Sequence, residues 1–103
     1  METVQRKRIE IIADAPLVPR IAAACAAAGI AGHSVVRLTG GHGRSGDWQE
    51  DRLTGAESKV MVMTITSADK AHQLIGALTP VLESHRLLLT IADVEVVRGE
   101  RFV

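Results

Sequence analysis

With 103 residues, 47% of them apolar and 23% charged, the chain suffices for one hydrophobic core and is too short for two. Twelve Lys and Arg balance twelve Asp and Glu, so no net field draws nucleic acid or a membrane surface. No window approaches the roughly 20 apolar residues that span a bilayer, no signal-type run follows Met1–Arg8, and the single Cys25 fits a reducing, cytoplasmic setting.

From Val4 to Ala13, Arg6, Arg8 and Glu10 face one way and Ile9, Ile11 and Ala13 the other. That period of two predicts a strand with one buried face. Asp14 offers an N-cap oxygen, and Pro16 sits in a first helical turn, where its missing N–H costs nothing. Leu17, Ile21, Cys25 and Ala28 recur at helical spacing, so residues 15–28 form a predicted amphipathic helix ended by Gly29. A second strand is expected over His33–Leu38 and a third from Ser58 to Thr66. Ser67 caps a second helix with Asp69 in its positive first turn. Ala71, Leu74, Ile75, Leu78 and Leu82 line one side of it, and Pro80 is expected to kink or end it. A last strand over Arg86–Arg98 leads to a tail ending at Val103.

Strand, helix, strand, strand, helix, strand predicts a single α+β domain over residues 1–103, a ferredoxin-like βαββαβ sandwich. Two helices cover one face of its four-stranded antiparallel sheet. Yet Val60–Thr66 and Leu87–Val97 are largely apolar on both alternating faces. A solvated second face should be polar, and large exposed apolar patches mark interaction sites. Self-association with the sheets turned inward, as a closed cyclic oligomer, is the expectation.

Between the second and third strands runs Thr39–Lys59, with five of the nine glycines, mixed charge and the only Trp. Long irregular loops in small domains are usually functional or disordered; this one reads as functional. Gly41 and Gly43 permit positive φ and a close backbone approach, where successive N–H groups make an anion nest. Arg44 adds a planar, permanently charged fork for phosphate or carboxylate. A plain flexible hairpin is the alternative for these glycines. Trp48 fits two readings, an anchor for a target protein or a ring folded onto its own subunit. Asp47, Glu50, Asp51 and Arg52 around it suit a hydrated loop that orders on binding. The histidines at 33, 42, 72 and 85 share no metal-ligand spacing, and no activated nucleophile is signalled. No metal site and no enzyme is expected.

Three motifs, Gly29-Ile30-Ala31-Gly32-His33-Ser34-Val35, Gly41-His42-Gly43-Arg44 and Gly55-Ala56-Glu57, resemble the PII signal-transduction proteins. There a G-I-x-G-x-[ST]-V strand leads into G-x-G-R at the base of the T-loop, here about residues 40–58, with G-A-E further along it. The resemblance covers nearly the whole chain. Departures are equally informative. Ser58 stands where the family's modified tyrosine follows G-A-E, and the chain has no Tyr, so tyrosine nucleotidylation is excluded. Ser45 replaces a Gln that helps hold metal and 2-oxoglutarate. Glu83-Ser84-His85-Arg86 is all that remains of the B-loop, a triphosphate clamp. The truncated pattern looks like the divergent PII-like branch associated with carboxysomes and bicarbonate transport. The cysteine-containing tail of its transporter-linked members is missing, so the carboxysome-associated type is preferred.

The resemblance implies a homotrimer that binds an adenine nucleotide (ADP or AMP, or cyclic AMP), with bicarbonate as a further ligand, in clefts between subunits. Ser34 would meet the ribose or base, the backbone at Ile65 the adenine, and Gly41, Gly43 and Arg44 the anion. Arg98, and less directly Arg101, would approach the phosphates; both also fit solvated tail charges. The T-loop would grip a target protein, a transporter or carboxysome component. Two rivals share the architecture: a trimeric metal-binding protein of the CutA kind, and a small ferredoxin-like enzyme using His42 or His85 as base.

Overall fold

The alternation in the first strand decides the architecture. In the computed structural model, which describes residues 1–43, 46–49, 58–98, 100 and 102–103, β1 (Thr3–Asp14) buries Ile9, Ile11 and Ala13 on one face. It pairs antiparallel on both sides, with β5 (Lys59–Thr66) and with β6 (Leu88–Val97). The short β2 (Ser34–Arg37) joins β5, giving the order β2-β5-β1-β6. With α1 (Val18–Ala27) and α2 (Ala68–Ser84) this is the expected four-stranded α+β sandwich.

Both helices lie over the face that carries Ile9, Ile11, Val60 and Val62. They contribute Ile21 and Cys25 from α1 and Ala71, Leu74, Leu78 and Val81 from α2. The four positions read from helical spacing in the first helix, Leu17, Ile21, Cys25 and Ala28, are all buried. Gly29, at φ +74, ends it in the left-handed conformation that costs glycine nothing. In α2, Val81 is buried while Ile75 and Leu82 are half-buried, so the stripe turns one residue earlier than expected.

Three local expectations are corrected. Asp14 does not cap a helix with its side chain; its Oδ1 accepts from Lys59 Nζ at 2.8 Å instead. A 3-10 turn over Ala15–Leu17 intervenes, and α1 starts beside Pro19. Pro80 does not end α2, which runs on to Ser84. Burial of Leu78 and Val81 on either side of it outweighs one lost backbone bond, and Ser84 Oγ donates to Pro80 O at 2.9 Å. Ser67 does cap α2, accepting from Lys70 N–H at 3.3 Å.

The third correction concerns the long connection. Part of it is a hairpin, β3 (Gly40–Gly43) against β4 (Gly46–Gln49), with Gly41 opposite Trp48 and His42 opposite Asp47. Gly41 and Gly43 are extended and neither has positive φ; Gly46 does, at +98. The indole explains the strand conformation at Gly41. A Cβ there would stand 2.9 Å from Trp48 Cζ2, so only glycine lets the ring lie across the hairpin. Residues 50–57 of the T-loop lie outside the described residues.

The second face of the sheet carries what the sequence announced. Met61, Met63 and Ile65 are half-buried and point away from the helices, and Val36 and Leu88 are 45% and 57% exposed. Ile12 connects Met61 to Leu88 across three strands. An Arg8–Glu10 ion pair at 2.8 Å interrupts the apolar field.

Candidate functional site

Beside the paired start of β2 and the end of β5 opens a cleft of about 330 Å³. Its construction follows from the turn after α1. Gly29 reverses the chain, Ile30 N–H donates to Cys25 O at 3.0 Å, and Ile30 is buried. That anchor lays Ala31, Gly32 and His33 along one wall. Thr64 Oγ1 donates to Gly32 O at 2.6 Å, joining this wall to β5. Ser34 pairs with Met63, and Met63, Thr64 and Ile65 form the floor.

The remaining wall comes from the other end of the chain. After β6, Arg98 adopts φ 60, a left-handed turn uncommon outside glycine. Phe102 then reaches the cleft. Arg6 Nε donates to Phe102 O at 2.9 Å, and Ala31 N–H to Val103 O at 3.1 Å.

The structure thus brings two of the sequence-derived residues together, Ser34 and Ile65, in one cleft. Others are placed apart. Gly41 and Gly43 lie in the hairpin beyond β2, and Arg98 follows β6 on the opposite edge of the sheet. Arg44 and Arg101 lie outside the described residues. Trp48 is half-buried against Gly41, with Lys59 Nζ 6.0 Å from its ring centroid, a weak cation–π geometry. In this arrangement the ring rests on its own hairpin and stays half-exposed. His42 Nδ1 meets Asp47 Oδ1 at 2.6 Å across the hairpin, both exposed.

Sequence reasoning missed Phe102, Met63 and Thr64. Phe102 had one signal, being one of only two aromatics in an aliphatic chain and standing in the tail. Met63 and Thr64 had none, because strand alternation assigns a face and not a cavity. Chemically the cleft offers apolar side chains, the imidazole of His33, hydroxyls at Ser34 and at Thr64 (the latter given to Gly32 O) and backbone edges, a lining suited to a flat group with a polar rim. Among the described residues no three His, Cys, Asp or Glu side chains gather as metal ligands, and no helix is long and apolar enough to cross a membrane.

Comparison with known proteins adds the following. The model of the family described as nitrogen regulatory protein P-II matches residues 6–101. No curated protein sequence matches. Among solved structures, CPII, a nitrogen regulatory PII-like protein from Thiomonas intermedia K12 bound to ADP, AMP and bicarbonate, superposes with a TM-score of 0.88. The two are 20% identical, over 98% of this chain and 96% of that one. CPII bound to ADP and bicarbonate gives 0.86 at 20% identity, over 99% and 98%. A PII-like signalling protein from Thermus thermophilus gives 0.82 at 24% identity, over the whole of both chains. These likenesses establish a shared fold.

Proposed function

Given that the chain belongs to the nitrogen regulatory protein P-II family, whose model spans residues 6–101, we propose that it is a PII-like regulator, not an enzyme, sensing an adenine nucleotide. ADP or AMP is the ligand, and the cleft beside Ser34 and Ile65 is where its base and ribose sit. The observation that carries this reading is that cleft. Two residues assigned to nucleotide contact from motif resemblance alone line one cavity. The structural likeness to a protein that binds ADP, AMP and bicarbonate supports it.

The subunits assemble as a homotrimer through the second face of the sheet. Met61, Val36 and Leu88 would otherwise remain in water, and Met63 and Ile65 carry the same apolar face to the cleft at its edge. The ligand then lies in a cleft between subunits, so that Arg98, on the far edge of its own sheet, would reach the phosphates from a neighbouring copy; Arg44 and, less directly, Arg101 are further candidates for the phosphates. Neither glycine forms a positive-φ nest; Gly41 is covered by the Trp48 ring, and Gly43, with open space around it, is the one that offers a ligand an extended, uncrowded backbone. Placement in the divergent branch follows from the missing B-loop, and with it a link to inorganic carbon, bicarbonate as co-ligand, and a target protein gripped by the T-loop. A ligand beside the hairpin biases that arm only if it binds one arrangement better than the other.

The experiment is a calorimetric titration of ADP, AMP and cyclic AMP, each with and without bicarbonate, into the wild type and Arg44→Ala. Saturable binding of ADP or AMP, lost in the variant, supports the reading. Absence of binding of every nucleotide removes it.

A further inference from the structure

Phe102 is held in place without belonging to the core. It is 40% exposed and lies outside the cluster of buried side chains between sheet and helices. Its position comes from backbone bonds instead: Arg6 Nε to its own carbonyl at 2.9 Å, and Ala31 N–H to the carbonyl of Val103 at 3.1 Å. One tie reaches β1 and the other the turn that forms the opposite wall. These two ties hold Phe102 at the cleft, where it is the one Phe, Tyr or Trp of the lining. A half-solvated Phe contributes little to folding, so its fixed place there calls for another account.

We infer that Phe102 is a specificity-determining residue, the stacking wall on which a planar purine base rests. This deepens the reading that the cleft takes an adenine nucleotide, and it rests on that reading. An offset-stacked arrangement is the favoured geometry for two π-systems. Met63 on the floor adds a polarisable thioether, which pairs well with aromatic faces. Ile65 closes the apolar slot, and the Ser34 hydroxyl at its margin is left for the polar edge of the ligand. The flat face of the base, rather than its hydrogen-bonding edge alone, then sets affinity. Arg6 acts as a positioning residue, since it touches the tail backbone.

The test is a calorimetric titration of AMP into wild type, Phe102→Leu, Phe102→Ala and Phe102→Trp, with thermal melting of each free protein alongside. Leu preserves apolar bulk without a π face. Stacking on an aromatic accounts for about a tenfold to a hundredfold in affinity. The expected result is a loss of that size in both Leu and Ala, recovery in Trp, and unchanged melting. AMP binding by Phe102→Leu as tight as wild type overturns the inference and leaves the nucleotide reading standing. No AMP binding by the wild type overturns the nucleotide reading itself, and the inference with it.

Discussion

The indole of Trp48 lies against Gly41, where an added Cβ would meet Cζ2 at 2.9 Å and Cε2 at 3.1 Å. Lys59 Nζ stands over the ring, 6.0 Å from its centroid, and is itself bound to Asp14 at the end of β1. A strand partner and a missing side chain together seat the ring on its own hairpin, with a cation over it.

Gly41→Ala should therefore move the ring. The contacts are with a side chain on an exposed hairpin, so overall stability should change by less than about 1 kcal/mol. Trp48 emission should shift to the red as the indole leaves its backing. Emission identical to wild type would show that the ring does not rest there. Because Trp48 is the only tryptophan, the signal has one source.

Two threonines on one strand should respond with opposite signs. Thr64 and Thr66 both point from β5 into the core face and are almost wholly buried. Thr64 Oγ1 donates to Gly32 O at 2.6 Å, whereas Thr66 Oγ1 has no hydrogen-bond partner among the described residues. Thr64→Val orphans a carbonyl beside the cleft and should cost about 1–3 kcal/mol in urea unfolding. Thr66→Val removes a buried hydroxyl that makes no bond, so it should be neutral or stabilising by about 1 kcal/mol. Equal losses in the two variants would contradict the assignment.

Arg98 combines a left-handed backbone with a side chain assigned to phosphate. Arg98→Gly should separate the two. Relief of φ 60 should raise stability by about 1 kcal/mol, while ADP affinity should fall. A variant that gains stability and binds ADP as before would reduce Arg98 to a turn residue.

Cys25 links the core to pH. Burial pushes its thiol above the ordinary value, because the charged form is poorly solvated there. The folded chain then holds this proton at pH values where the unfolded chain has lost it. The contribution to stability is complete below the ordinary thiol pKa and disappears as pH rises through the raised one. Unfolding free energy should fall with alkaline pH at up to about 1.4 kcal/mol per unit in that window. Cys25→Ala should remove this component; an unchanged slope would show another group responsible. Native-state alkylation should be slow for the same reason.

What could be read beforehand, and what could not, divides along the range of the forces involved. Strand alternation at Ile9, Ile11 and Ala13 and helical spacing at Leu17, Ile21 and Cys25 are local patterns with a single packing solution, and they made the element order and this part of the core legible. Asp14 misled because a capping oxygen is equally a partner for Lys59, 45 residues away. Pro80, expected to kink or end its helix, does not end it because a local penalty is set against burial on both sides of it. Ser34 and Ile65 were assigned by motif and meet in one cleft, but Phe102 was not foreseen. Its place depends on bonds from Arg6 and Ala31, which no periodicity encodes. Gly41 was assigned a special backbone angle; an adjacent indole explains the glycine instead.

The central claim is that copies of this chain assemble through the second face of the sheet and bind an adenine nucleotide beside Ser34 and Ile65. Sedimentation velocity of the protein with ADP, followed at the nucleotide's own absorbance, tests both parts together. The account predicts that nucleotide absorbance travels with a boundary of the mass of three chains. A boundary at the mass of one chain, with the ADP left unsedimented, would contradict it.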